Sequence, residues 1–254
     1  MTKINMKRMN RIALIFTVVF IVLTSACGDM KTDYIFVVDL SDSVSAQSRG
    51  FSFEVIKQRA KLLKRGDTLT VIPVTADAQT ETVGNVLHLT VGEKRELADA
   101  DLDEFYAQAT QKLQQLQEKA KNYGQTDLIG AWHVVSEEIA VTRRENRRLM
   151  VAVFSDFVHS TGQIRFETNQ TFAKTETAQR YADELVKRSD VSLANAEIYL
   201  GLLESADLQK MPSERREAVR AFWLEYLQKS GAIRCQFATD GTGQFEKFIN
   251  KMEK

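Results

Sequence analysis

Residues Tyr34–Ser45 read YIFVVDLSDSVS, and this stretch decides the fold. Tyr34 to Val38 is an apolar run, rich in β-branched and aromatic residues, with no alternating polar position. Such a run is predicted to be a strand buried on both faces, and so a central parallel one. It ends in Asp39, Ser41 and Ser43, each two residues after the last. In an extended chain that spacing turns a carboxylate and two hydroxyls to one side. They stand at the carboxyl end of the strand, where open α/β sheets place ligands. Hard oxygen donors gathered there suit Mg2+ or a similar divalent ion.

Leu149–Phe154 (LMVAVF) is a second fully apolar strand, ended by Ser155, Asp156 and Phe157. Again a carboxylate closes a buried strand. Thr68–Thr75, Thr82–Val91, Ala196–Leu203 and Arg234–Thr239 are the other predicted strands. Pro73 has no amide hydrogen, which places it near a strand end or beside an unpaired edge. The polar link from strand two to strand three is too short for a helix, so these two form an antiparallel hairpin. Apolar residues at three- and four-residue steps predict helices over Phe51–Lys64, within Glu93–Lys121, from Leu128 to about Thr142, over Thr171–Lys187, from Ser213 onward, and after Gly243. Gly66 closes the first helix, and Thr126 or Asp127 caps the one at Leu128. Arg143, Arg144, Arg147 and Arg148 read as a solvated helix end. Strands alternating with helices give the α/β class: a Rossmann-like doubly wound sheet, mostly parallel with one antiparallel edge strand, covered on both faces.

The amino terminus has a separate character. Lys3, Lys7, Arg8 and Arg11 precede an apolar run from Ile12 to Leu23, and Ser25-Ala26 precede Cys27. A basic start, a short apolar middle and small residues before a cut form a secretory signal. The run falls short of the roughly 20 apolar residues of a spanning helix. Without residues 1–26, which hold four basic side chains and no acid, 30 basic and 34 acidic side chains remain, a net of about −4. That balance gives no electrostatic case for nucleic acid. Cys235 is the only other cysteine.

Cys27 in its context resembles the lipobox of bacterial lipoproteins, with Thr24 where Leu is usual and Leu23 one place further back. The resemblance implies a signal peptide over residues 1–26, a diacylated Cys27, a short tether over 27–32, and a lipid-anchored domain over 33–254 in the cell envelope. By the same resemblance an Asp after the cysteine would mark inner-membrane retention; Gly28 stands there instead, which favours the periplasmic face of the outer membrane where two membranes are present. Asp39, Ser41 and Ser43, then Thr126 before a helix, then Asp156 after the fourth strand, resemble the metal-ion-dependent adhesion site of the von Willebrand factor type A domain. The resemblance covers nearly all of residues 33–252. It implies Mg2+ (or Mn2+) held by the hydroxyls of Ser41, Ser43 and Thr126, with Asp39 and Asp156 holding coordinated waters. It also implies a protein partner supplying an acidic side chain, and no enzyme activity. Asp42, Asp127, Phe157 and His159 are the expected partner contacts, with an ordinary exposed loop residue as the plain alternative for His159. Phe157 stands where the family often has Gly.

Two alternatives use the same residues. Asp39 serves as nucleophile in a metal-dependent phosphoryl hydrolase, although Ser41 stands where that chemistry needs a second acid. Otherwise the fold is a scaffold whose metal site stays unused. No glycine-rich phosphate loop or nucleophile elbow is present in the sequence.

Overall fold

A computed structural model describes residues 30–81, 84–92, 98–119, 125–142, 147–239 and 243–252. The predicted signal peptide, Cys27, Arg143 and Arg144 lie outside the described residues. Among the described residues no helix is long and apolar enough to cross a membrane.

The order of elements is β1 (Lys31–Asp39), α1 (Ala46–Lys61), β2 (Thr68–Val74), α2 (Ala78–Glu81), β3 (Leu87–Thr90), α3 (Ala98–Lys119), α4 (Leu128–Thr142) and β4 (Arg147–Ser155). After a 3-10 turn at Gln170–Ala173 come α5 (Thr175–Arg188), β5 (Ala196–Leu202), α6 (Ala206–Lys210), α7 (Ser213–Lys229), β6 (Arg234–Ala238) and α8 (Phe245–Met252). Among the described residues six strands form one sheet, in the order β3-β2-β1-β4-β5-β6. β3 alone is antiparallel, pairing Thr68–Val71 of β2. All other pairings are parallel. This is the doubly wound, mostly parallel sheet with one antiparallel edge strand that the sequence predicts.

The unbroken apolar run of β1 follows from burial on both faces. Ile35 and Val37 point to a core shared with Trp132 of α4 and with Phe222 and Trp223 of α7. Phe36 and Val38 point to the opposite core, with Phe53 of α1, Phe105 of α3 and Phe245 of α8. Each such side chain, buried whole, stabilises the fold by about 1.5–3 kcal/mol. β3 covers β2 only as far as Val71, so Pro73 lies past the end of that pairing, where its missing amide hydrogen costs no ladder bond.

Several local expectations are corrected. The first helix starts at Ala46, because the Ser45 hydroxyl accepts from the Ser48 amide and caps it there. It ends at Lys61, and Gly66 (φ 81°) sits in the turn beyond rather than at the helix end. The link between β2 and β3 does hold a helix, the single turn α2, with Thr80 N–H donating to Asp77 Oδ1 at 3.2 Å. The short helix α6 lacked a sequence signal. Arg147 is not in a solvated helix end. It begins β4, and its Nε donates to both Asp33 carboxylate oxygens at 2.9 and 2.8 Å, with Nη2 donating at 2.5 Å. Both side chains are under a tenth exposed.

Candidate functional site

The strand order reverses between β1 and β4, and the carboxyl ends of those two strands flank the crevice at that switch point. Val38 pairs with Phe154, so Asp39 and Asp156 leave the sheet side by side. Asp39 is fully buried, and both its oxygens are engaged. Oδ1 accepts from the Ser41 amide at 2.9 Å, and Oδ2 accepts from the Ser155 hydroxyl at 2.6 Å. The hydroxyls of Ser41 and Ser43 lie 3.0 Å apart. The Ser43 hydroxyl donates onward to Asp156 Oδ2 at 3.1 Å, while Asp156 Oδ1 accepts from the Val158 amide at 2.9 Å. Four of the five predicted residues therefore form one connected cluster. The alternate spacing of Asp39, Ser41 and Ser43 does turn them together, although the chain bends after Asp39 instead of continuing as a strand.

Thr126 is placed by its backbone. Its amide donates to the Ser160 carbonyl at 2.9 Å and its carbonyl accepts from the Ser160 amide at 3.0 Å. The next amide, of Asp127, donates to the Thr75 carbonyl at the end of β2 at 2.9 Å. The loop before α4 is thus fixed between the end of β2 and the segment that follows β4. Asp127, not Thr126, is the cap. Its Oδ1 accepts from the Gly130 amide at 2.8 Å and its Oδ2 from the Ala78 amide at 3.3 Å, so one carboxylate serves the first turns of both α4 and α2. Gly130 leaves room for that carboxylate, since a Cβ there would lie 2.1 Å from Asp127 Oδ2 and would displace it.

Two residues expected at the partner surface are buried, which corrects that expectation. Phe157 is 2% exposed, and its ring packs on Phe237 with centroids 4.9 Å apart. Its φ is 61°, a left-handed backbone that few non-glycine residues adopt. Two bonds hold it: the Phe157 amide donates to the Ser155 hydroxyl oxygen at 2.9 Å, and Trp223 Nε1–H donates to the Phe157 carbonyl at 2.9 Å. His159 is also 2% exposed, packed on the Phe166 ring. Burial pushes its pKa down to about 3, so the imidazole is neutral. Asp42 is exposed beside the cluster and Asp127 is partly buried.

Ser155 and Ser205 complete the cluster without having been singled out in the sequence. Ser205 hydrogen-bonds Asp156, and its hydroxyl oxygen accepts from the Leu208 amide as the cap of α6. Ser155 is the last residue of β4, and a buried hydroxyl ending an apolar strand was its only sequence signal. Arg49 braces the loop from outside, its Nη1 donating to the carbonyls of Ser41 and Val44 at 2.6 and 2.8 Å.

The charge state of the cluster bears on what it can hold. Burial raises the pKa of Asp39, against the lowering effect of its serine bonds. Asp156 is pushed up to about 7, first by burial and then by the charge of Asp39. Two adjacent buried carboxylates cannot both ionise cheaply without a cation. Arg49, whose charge reaches Asp39, is tied to carbonyls. Two carboxylates and several hydroxyls are the donor chemistry of a hard divalent ion. Among the described residues no group of three or more His, Cys, Asp or Glu is placed to hold a metal, and this donor set contains only two such residues.

No protein-family model matches the chain, and no curated protein matches it by sequence. Among solved structures, it is similar to a manganese-loaded TRAP protein of Plasmodium vivax, at 16% identity and a TM-score of 0.38, covering 78% of this chain and 74% of that one. It is also similar to the pilus adhesin SpaC of Lactobacillus rhamnosus GG, at 12% identity and a TM-score of 0.45, covering 89% of this chain and 30% of that one.

Proposed function

We propose that this chain is a divalent-metal-dependent protein-binding module, a von Willebrand factor type A domain carried on a lipid-anchored envelope protein. The observation that carries the reading is the cluster of Asp39, Ser41, Ser43 and Asp156 at the switch point of the sheet. Ser41, Ser43 and Thr126 would hold Mg2+ or Mn2+ through their hydroxyls, with Asp39 and Asp156 acting through coordinated water. An ion with neutral hydroxyl ligands keeps much of its charge and attracts an acidic side chain from a partner. Asp39 holds the Ser41 amide, and Ser43 is tied to Asp156, so the chain itself presets the loop. A phosphoryl hydrolase is the weaker reading: both Asp39 oxygens are engaged, and the carboxylate is fully buried where a nucleophile must be reachable.

The test is calorimetric titration of the full chain with Mg2+ and Mn2+, with partner capture measured in parallel. Asp39→Ala is expected to lose both while its circular dichroism stays unchanged. Capture that persists in chelator overturns the metal-bridged reading and leaves a scaffold. The anchor is tested separately. Cys27→Ser should abolish labelling by radioactive palmitate, and an unlabelled parent chain would remove the lipoprotein half of the proposal.

A further inference from the structure

A polar cavity of about 440 Å3 opens beside the loop that carries Thr126. Its floor and walls come from the residues after β2, the first turns of α4, the loop after His159, and one face of α5. Among the described residues two carboxylates line it, Asp77 and Asp127, and no lysine or arginine does. Of its two histidines, His159 is buried and neutral, and His133 faces the exposed carboxylate of Asp190 at 3.3 Å. The amino end of α4 offsets about half a charge, and the single turn α2 less, which leaves the described lining net negative. Glu184 and Arg188, which follow Tyr181 on α5 and act on it electrostatically, are of opposite sign. The uncharged lining is mixed: Gln79, Gln125, Thr161 and Gln163 are polar, while Ile129, Ile164, Leu185 and the Tyr181 ring give it an apolar side.

We infer that this cavity receives a lysine or arginine side chain of the protein partner, next to the point where the partner meets the metal loop. The apolar side suits an alkyl stem, the carboxylates suit its cationic head, and a ring such as that of Tyr181 favours a cation over its face. The cavity and the metal loop share one frame, because Thr126 and Ser160 pair through both backbone bonds and Asp127 and Thr161 line the cavity directly after them. The inference rests on the reading of this rim as a protein-binding face. It names the partner's chemistry as an acidic and a basic side chain presented together.

The test uses the full chain and small probes, followed by NMR of the Gly130, Thr161 and Gly162 amides and the His133 ring. N-acetyl-lysine methylamide and N-acetyl-arginine methylamide are titrated, with N-acetyl-norleucine methylamide as the uncharged control, each in Mg2+ and in chelator. At least one cationic probe should give saturable shifts at these positions, with the norleucine probe at least tenfold weaker, and the shifts should persist in chelator. Asp77→Asn keeps a capping side chain for α2 but lowers the charge, and should weaken the cationic probes severalfold. Equal binding of norleucine, no shifts with either cationic probe, or an Asp77→Asn chain that binds unchanged overturns the inference. A failure of Mg2+ titration, with the probe shifts intact, counts against the metal reading alone.

Discussion

The Ser155 hydroxyl stands between Asp39 and Phe157, donating to Asp39 Oδ2 at 2.6 Å and accepting from the Phe157 amide at 2.9 Å. It links the last residue of β1 to the turn that follows β4, and all three residues are buried. Ser155→Ala leaves one carboxylate oxygen and one amide without partners in a dry setting. The expected loss is about 1–3 kcal/mol of stability, because a buried polar group without its bond keeps its full desolvation cost. Urea denaturation of the two chains in chelator measures it. An unchanged midpoint would mean that water or a neighbour replaces Ser155 at no cost.

Phe157 has φ 61° and a buried ring, so two effects oppose each other there. Glycine at this position would relieve about 1–3 kcal/mol of backbone strain. It would also remove a ring packed against Phe237, and deleting a buried phenylalanine costs about 3–5 kcal/mol. Packing is the larger effect, so Phe157→Gly is expected to lower the thermal midpoint. A glycine variant with a raised midpoint would show that backbone strain outweighs the ring. This chain holds the left-handed backbone at 157 with the Trp223 bond to the Phe157 carbonyl and with aromatic packing.

Asp156 predicts a pH dependence with a definite sign. Its folded pKa is raised to about 7 from an ordinary 3.8, so between those values the folded chain binds the extra proton. Its contribution is fully present below about pH 4 and is lost as pH rises through about 7. In chelator, the parent chain should lose stability relative to Asp156→Asn between pH 5 and pH 8, by a few kcal/mol at most. Thermal melts of both chains across that range check it, and a flat difference between them would refute the assignment. Millimolar Mg2+ should restore the parent at pH 8 if the ion takes the place of the proton.

The sheet was legible because β1 and β4 are apolar without interruption, a pattern that only burial on both faces produces. The cluster was legible because Asp39, Ser41, Ser43 and Asp156 sit at the ends of those strands. Helix α1 begins five residues before its first apolar stripe, because Ser45 and not hydrophobic spacing sets its start. Phe157 and His159 were assigned to the surface from their place in a loop. Yet the following segment folds back over His159, with the Phe166 amide donating to the His159 carbonyl at 2.9 Å, and Phe237 of β6 packs on the Phe157 ring. Ser205 joins the cluster from 49 residues further along the chain, through an isolated bridge to Val44 that no local pattern announces.

Arg147 and Asp33 make a buried bidentate pair at the amino end of β1 and β4, opposite the Asp39 cluster. Thr68 adds a third partner, its hydroxyl donating to Asp33 Oδ1 at 2.6 Å. Arg147→Ala leaves Asp33 charged and buried, which costs about 3–5 kcal/mol. Replacing both partners by apolar residues should cost less than removing the arginine alone. Chemical denaturation of the single and double variants tests the order. Mg2+ affinity should be the same in all chains that fold, since the pair lies at the other end of β1 from Asp39.

Gly130 gives the sharpest test of how the Thr126 loop is held. A methyl group there would stand 2.1 Å from Asp127 Oδ2, so the carboxylate must leave its place. With it go the bonds from the Gly130 and Ala78 amides, at 2.8 and 3.3 Å. Alanine is the better helix former by about 1 kcal/mol, and a lost cap costs about as much. The stability change of Gly130→Ala is therefore expected to be small, while the displaced Asp127 shifts Thr126 beside it. The expected result is a midpoint within about 1–2 kcal/mol of the parent together with Mg2+ binding weakened at least tenfold. Calorimetric titration of the variant decides the matter: parent-like Mg2+ affinity would show that the Asp127 cap does not position Thr126 for an ion.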